Sequence, residues 1–240
     1  MAQFSSAPQR GYAAPFPAER LNSQVAAFLR LVYGWMAAGL VITATTSWLV
    51  AGTPTLVAAI ASSRLLFWAI IIAQLGLVFA LSARVHTLAP ATASVLFVAY
   101  SALTGVTLSF ILLAYTGASI ATTFFVTAGM FGALAIYGTL SRRNLQGAGQ
   151  FLFMGLIGVV LASLVNIFWQ NDGLQFVISF IGVIVFTGLA AYDAQRLKAM
   201  ALAMPSGEIA SYAIVGALAL YLDFVNLFLF MLRFMGQRRD

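Results

Sequence analysis

Apolar residues run through this chain in long blocks, and the polar residues that interrupt them fall at regular distances. Between Arg84 and Arg142 lie 57 residues whose only titratable side chain below the tyrosines is His86, taken as neutral. A helix needs about 20 apolar residues to cross the hydrocarbon of a bilayer, so this stretch holds two crossings. Laid end to end, the blocks predict seven spans, at residues 31–51, 65–83, 91–115, 118–140, 151–170, 174–193 and 210–232. Pro54, Pro90 and Pro205 fall between them, where a residue without an amide proton breaks no helix. No tandem repeat is evident. Residues 1–22 carry Gln3, Ser5, Ser6, Pro8, Pro15 and Pro17 and little apolar content. They predict a flexible cytoplasmic tail rather than a signal peptide, which would place an apolar run directly after its basic start. Residues 23–240 are then the transmembrane domain.

Composition agrees with the pattern. Hydrophobic residues make up 62% of the 240 and charged residues 8%, where a soluble domain is about 25% charged. Lipid leaves no backbone polar group unpaired at low cost, so the fold class expected is all-α and polytopic. With no cysteine and a single histidine, thiolate chemistry and multi-histidine metal sites are excluded. A net charge of +6 in a soluble protein would suggest nucleic acid. Here the basic residues sit at the ends of apolar runs, so their partner is the bilayer and no nucleic acid is expected.

The basic residues also set an orientation. With the N-terminus in the cytoplasm, the inside carries Arg10, Arg20, Arg30, Arg84, Arg142, Arg143, Arg196 and Lys198, and the outside Arg64, Arg233, Arg238 and Arg239. The C-terminal three are the discordant part, and a re-entrant last segment would bring them inside. Small residues at i, i+4, namely Gly34 with Ala38, Gly129 with Ala133 and Gly158 with Ala162, suggest close helix approaches. Trp35, Trp48, Trp68 and Trp169 lie at or near span ends and read as an aromatic belt. His86 reads as a solvated residue at a span end.

Two acids stand in apolar sequence. Asp193 falls late in span six and Asp223 inside span seven. A carboxyl at the centre of a membrane helix costs roughly 2.5–3.5 kcal/mol on insertion scales, so such residues face protein or water and are functional candidates. Their midpoint is residue 208, beside the turn residues Pro205, Ser206 and Gly207. In an antiparallel hairpin, residues equidistant from the turn lie at one depth. If helix six continues to about Met200, the two carboxyls can meet, and they would then share one proton and titrate as a unit. The plainer alternatives are an interfacial Asp193 paired with Arg196 or Lys198, and an Asp223 that only fixes packing. Arg84 closes span two on the side where span six ends and can pair with Asp193, or can serve only as an interfacial anchor. Gln74, Asn166 and Asn226 are amides that would line a polar path or bond helix to helix.

Five stretches resemble one family. They are YSALTGVTLS at 100–109, YTGASIATTFFVTAGMFGA at 115–133, FMGLIG at 153–158 with Ser163–Asn166, AYDAQ at 191–195 and LYLDFVNLF at 220–228. Together they are similar to the Bax-inhibitor family of seven-span proteins, its bacterial inner-membrane branch above all, over about residues 25–235. The resemblance implies a fold with the last helix at the centre. It also implies a pH-sensitive calcium leak whose proton sensor and transient ion site are Asp193 and Asp223, with Arg84 as the latch on the span-six acid. Some members carry an acid deeper in span two, where this chain has Gln74.

The expectation is therefore a cation leak under proton control, with calcium as the transported ion, no cofactor and no enzymatic activity. One alternative is a regulator that binds another membrane protein, such as a membrane quality-control protease, using the N-terminal tail. An intramembrane aspartyl protease fits less well. Tyr192-Asp193 suits its first motif, but Leu220-Tyr221-Leu222-Asp223 stands where a Gly-x-Gly-Asp sequence is needed.

Overall fold

The computed structural model describes residues 18–83, 88–204 and 209–239, with side chains from residue 22. Among the described residues eight helices follow one another: α1 (Ala18–Ala51), α2 (Pro54–Ser62), α3 (Arg64–Ala83), α4 (Pro90–Ala114), α5 (Gly117–Leu140), α6 (Gln146–Trp169), α7 (Asp172–Ala203) and α8 (Ile209–Met235). Seven of them are long and apolar enough to cross a membrane. The nine-residue α2 is the element that the pattern of spans does not contain. Pro54 and Pro90 each take the first helical turn, where proline's fixed φ is already helical. The short connections are capped locally. Thr116 accepts from the Ser119 amide ahead of α5, and Asn171 from the Leu174 amide ahead of α7. Gln170 turns left-handed, at φ 44°, to end α6.

Two helices are longer than their predicted spans. α1 starts at Ala18 rather than 31, and α7 runs on to Ala203 rather than 193. The extensions hold each other. The Gln24 amide donates to the carbonyls of Ala201 and Met204, at 3.3 and 3.1 Å. Hydropathy finds only the lipid-immersed length of a helix, and these ends are stabilised by each other outside it.

α8 is the hub. Of its most apolar stretch 67% is buried, against 6% for α3 and for α6. It packs against α1, α4, α5 and α7. α3 is held mainly by α4, and α6 by α7, so both present their other faces outward, with Phe79, Phe151 and Phe168 largely exposed. Between helices lipid supplies no hydrophobic drive, so association rests on close packing. The close approaches fall at Gly39 against Phe97, Gly105 against the Thr43 carbonyl, Gly138 against the Ala191 carbonyl and Gly149 beneath the Tyr192 ring. They do not fall at Gly34, Gly129 or Gly158, where a Cβ would meet nothing within 4 Å. The i, i+4 rule marks where a helix is thin, not whether a neighbour stands there. Trp48, Trp68 and Trp169 are exposed as a belt requires, but Trp35 packs edge-on against Phe97 at 6.1 Å.

The last helix is long and apolar enough for a full crossing. Beyond it, residues 236–239 lie against the α4–α5 turn. The Thr116 amide donates to the Gln237 carbonyl, the Arg239 amide to the Ala114 carbonyl and the Gln237 amide to the Ser119 hydroxyl. The Arg238 guanidinium covers the Tyr115 ring at 5.9 Å. Residues 236–239 therefore lie at the opposite end of the bundle from the end of α7 and the start of α8, so α8 does not turn back as a re-entrant segment would. Arg233, Arg238 and Arg239 stay at that opposite end.

Candidate functional site

Asp193 and Asp223 are brought together by chain geometry. From Asp193 to the end of α7 is ten residues, and from the start of α8 to Asp223 fourteen, rises of about 15 and 21 Å at 1.5 Å per residue. The antiparallel pair thus sets both acids at nearly one depth, and their carboxyls are hydrogen-bonding and electrostatic neighbours. Asp223 is only 5% exposed, and its Oδ2 is buried with no hydrogen-bond partner. The Asp193 side chain keeps 16% exposure. Arg196 approaches Asp193 only at 3.9 Å from a side chain that is 61% exposed. That is a loose ion pair, of little energetic weight in water.

The acids sit in a cleft of about 810 Å³ whose walls come from α3, α6, α7 and α8. Ser82 of α3 faces it on one side and Gln150 and Phe153 of α6 on the other; Asn226 lines it one turn beyond Asp223. A second cavity, of about 390 Å³, shares Ser82, Asp193, Arg196 and Leu222 with the first and reaches Met200 and Tyr212. The two together lead from the acids toward the face of the α7–α8 connection.

The other candidate amides are spread through the bundle. Asn226 stands with the acids, its nitrogen donating to the Leu222 carbonyl at 2.8 Å. Gln74 donates to the Thr107 hydroxyl at 3.2 Å and ties α3 to α4. Asn166 lies at the far end of the bundle, where its amide donates to Gln175 at 2.9 Å and accepts from the Asn171 amide at 3.1 Å. Arg84, His86 and the turn at Pro205 lie outside the described residues.

Sequence reasoning missed what fixes α7 beside the acids. The Gln195 amide donates to the Arg143 carbonyl at 2.8 Å, and its oxygen accepts from the Leu145 amide at 2.9 Å. Lys198 donates to the Thr139 carbonyl at 2.8 Å, at the negative end of the α5 dipole. All three partners are backbone groups of the end of α5 or of the turn after it, at separations of 52, 50 and 59 positions. No side-chain pattern could reveal them. The only signal was a glutamine and a lysine on the helix turn after an intramembrane acid. On the opposite face of α8 from Asp223, the Tyr221 hydroxyl bonds Thr43, which itself donates to the Ser101 carbonyl.

Chemically the site offers two carboxyls that can pass protons or meet a hard cation, with amide and hydroxyl oxygens nearby. Among the described residues no three His, Cys, Asp or Glu side chains gather, so a cation here would rely on the acid pair and on neutral oxygens.

Comparison with known proteins places these residues in context. Residues 25–240 match the family described as "Inhibitor of apoptosis-promoting Bax1". The chain is 49% identical over 215 residues to the inner membrane protein YbhL of Escherichia coli (strain K12), covering 88% of this chain and 92% of that one. It is 46% identical over 215 residues to an uncharacterised protein of Borreliella burgdorferi, covering 89% and 93%. With an uncharacterised protein of Caulobacter vibrioides it shares 39% over 246 residues, covering 96% and 98%.

Proposed function

From the premise that the chain belongs to the Bax-inhibitor family of membrane proteins, we propose that it is a proton-controlled cation leak of the inner membrane, with calcium as the transported ion. The single observation that carries the reading is the Asp223 carboxyl. It is buried, one oxygen has no partner, and it faces a second acid at the end of a cleft. A buried carboxylate oxygen without a protein partner, beside a cleft, is where a proton, water or cation binds.

At acid pH a shared proton bridges Asp193 and Asp223 and ties α7 to α8. At neutral or higher pH the proton leaves and two negative charges confront each other in poorly solvated surroundings. Separation of the helices, entry of water and binding of a divalent cation each relieve that repulsion. Flux therefore rises with pH. Arg84 follows α3 two residues after Ser82, which lines the cleft with Asp193, and serves as the latch on that acid in the closed state. The N-terminus is cytoplasmic, which sets eight basic residues inside and four outside.

The test is calcium flux through the purified protein in liposomes, titrated with pH. Flux should increase from acid to neutral pH, and Asp193→Asn or Asp223→Asn should abolish that dependence. Unchanged titration in both variants would remove the pair as sensor. Flux that appears only when a second membrane protein is added would favour a regulatory role instead.

A further inference from the structure

We propose that the ion path continues from the acid pair to the opposite face along one stripe of α7, and that the stacked rings of Phe186 and Phe230, seated on Gly182, are its hydrophobic gate. The inference builds on the leak reading and locates the barrier that reading requires.

The stripe is a matter of helical phase. Gln175 and Asp193 are 18 residues apart, five turns at 3.6 residues per turn, and so share one azimuth over a rise of about 27 Å. Ser179, Gly182 and Phe186 fall between them on the same face. Its inner end is the cleft, which holds Asp193, Asp223 and Asn226 and has Phe186 in its wall. Its outer end is polar again. The Gln175 amide donates to the Ser179 hydroxyl at 3.3 Å, and Asn166 donates to Gln175. Ser179 and Asn166 are both buried, so this polarity lies inside the protein and not on its lipid surface.

Between the polar ends stands one aromatic layer. Phe230 follows Asp223 on α8 by seven residues, two turns along the same face. Its ring stacks on Phe186 with centroids 5.6 Å apart and planes 25° from parallel. A Cβ built on Gly182 would lie 2.6 Å from the Phe230 ring, so the ring fills the recess that the missing side chain leaves. Beyond it the Arg233 guanidinium lies 5.7 Å from the ring centroid, a fixed positive charge on the far side of the barrier. Polar, aromatic and polar again is the order expected of a constriction that closes by excluding water.

The chain lacks cysteine, which permits a test that does not depend on flux. A single Asn226→Cys substitution puts a thiol just inside the gate. A membrane-impermeant, positively charged methanethiosulfonate is then applied to sealed membrane vesicles from the face of the C-terminus. With Phe230 present the thiol should react slowly from that face. Phe230→Ala should speed the reaction by about tenfold or more, as removal of a dewetted constriction allows. Phe230→Leu, which keeps most of the volume and guards against misfolding, should give a smaller rise. Equal rates in all three proteins overturn the gate. In the same vesicles Phe230→Ala in the otherwise native chain should raise calcium flux. Faster labelling without any flux keeps the gate as a water barrier and removes the leak reading.

Discussion

Replacing Gly105 by alanine should weaken the protein at the contact between α1 and α4. A Cβ at this position would stand 2.6 Å from the Thr43 carbonyl oxygen, 2.7 Å from the Thr46 Cβ and 3.2 Å from the Ser47 amide nitrogen. To reach the 3.4 Å at which ordinary contact begins, α1 and α4 must part by about 0.8 Å. Two of the three atoms are backbone and have no rotamer to escape into. The shift also stretches the 2.9 Å hydrogen bond from Thr43 to the Ser101 carbonyl, which joins the same two helices. Overpacking costs about 1–3 kcal/mol and a weakened buried hydrogen bond up to about 1 more, while alanine recovers about 1 kcal/mol over glycine in a helix. The net loss lies between about 0 and 3 kcal/mol, toward the upper end because two of the clashing atoms are backbone, and lowers the melting temperature by up to roughly 12 °C for a chain of this length. The assay is thermal unfolding of purified protein in detergent, with Gly129→Ala as the control. Gly129 has nothing within 4 Å of the added methyl, so that variant should melt at or slightly above the parent. If the two variants melt together, close approach at Gly105 is not what holds α1 on α4.

Two further outcomes follow from the site. With cysteines at 193 and 223, a short bifunctional thiol reagent should link the two positions efficiently, because the two side chains are close enough to interact; a pair that stays unlinked would separate the acids. Gln195→Ala removes the two short hydrogen bonds from α7 to the α5–α6 turn, and a longer one to the Ser141 carbonyl at 3.5 Å, and should destabilise by about 2 kcal/mol, at roughly 1 kcal/mol for each short bond. It should also loosen the turn before the rest of the bundle, read as faster amide hydrogen exchange at residues 141–146 under native conditions. An unchanged exchange rate there would show that the turn is held by something else.

Much of this architecture is legible in the sequence because a bilayer imposes simple rules. Seven spans follow from counting apolar residues, and the meeting of Asp193 and Asp223 follows from their equal distances to the turn. What the rules do not reach are interactions that leave no trace in hydropathy. The helix α2 is a nine-residue segment, too short to cross, and its Pro54 reads as a break when it is in fact a start. Gly105 and Gly129 look alike in sequence, yet one carries a neighbouring helix and the other open space. Asn166 and Asn226 are both buried-seeming amides, but one closes a turn and the other lines the cleft. Gln195 binds carbonyl and amide groups that every residue possesses, so its partners could be found only in three dimensions.

The hub position of α8 has a consequence for biogenesis. Ribosomes deliver the chain from its N-terminus, so the helix at the centre is the last to be made. Until residues 209–235 emerge, α1, α4, α5 and α7 surround no partner, and the faces that will bury Tyr221, Phe224 and Leu227 meet lipid or one another. Insertion of α8 must also carry Asp223 into the membrane, a charge penalty of roughly 2.5–3.5 kcal/mol on insertion scales that the flanking apolar residues offset. Assembly of the bundle is thus a wait for its final span. A message truncated after α7 yields six inserted helices without an axis, a ready substrate for membrane quality control.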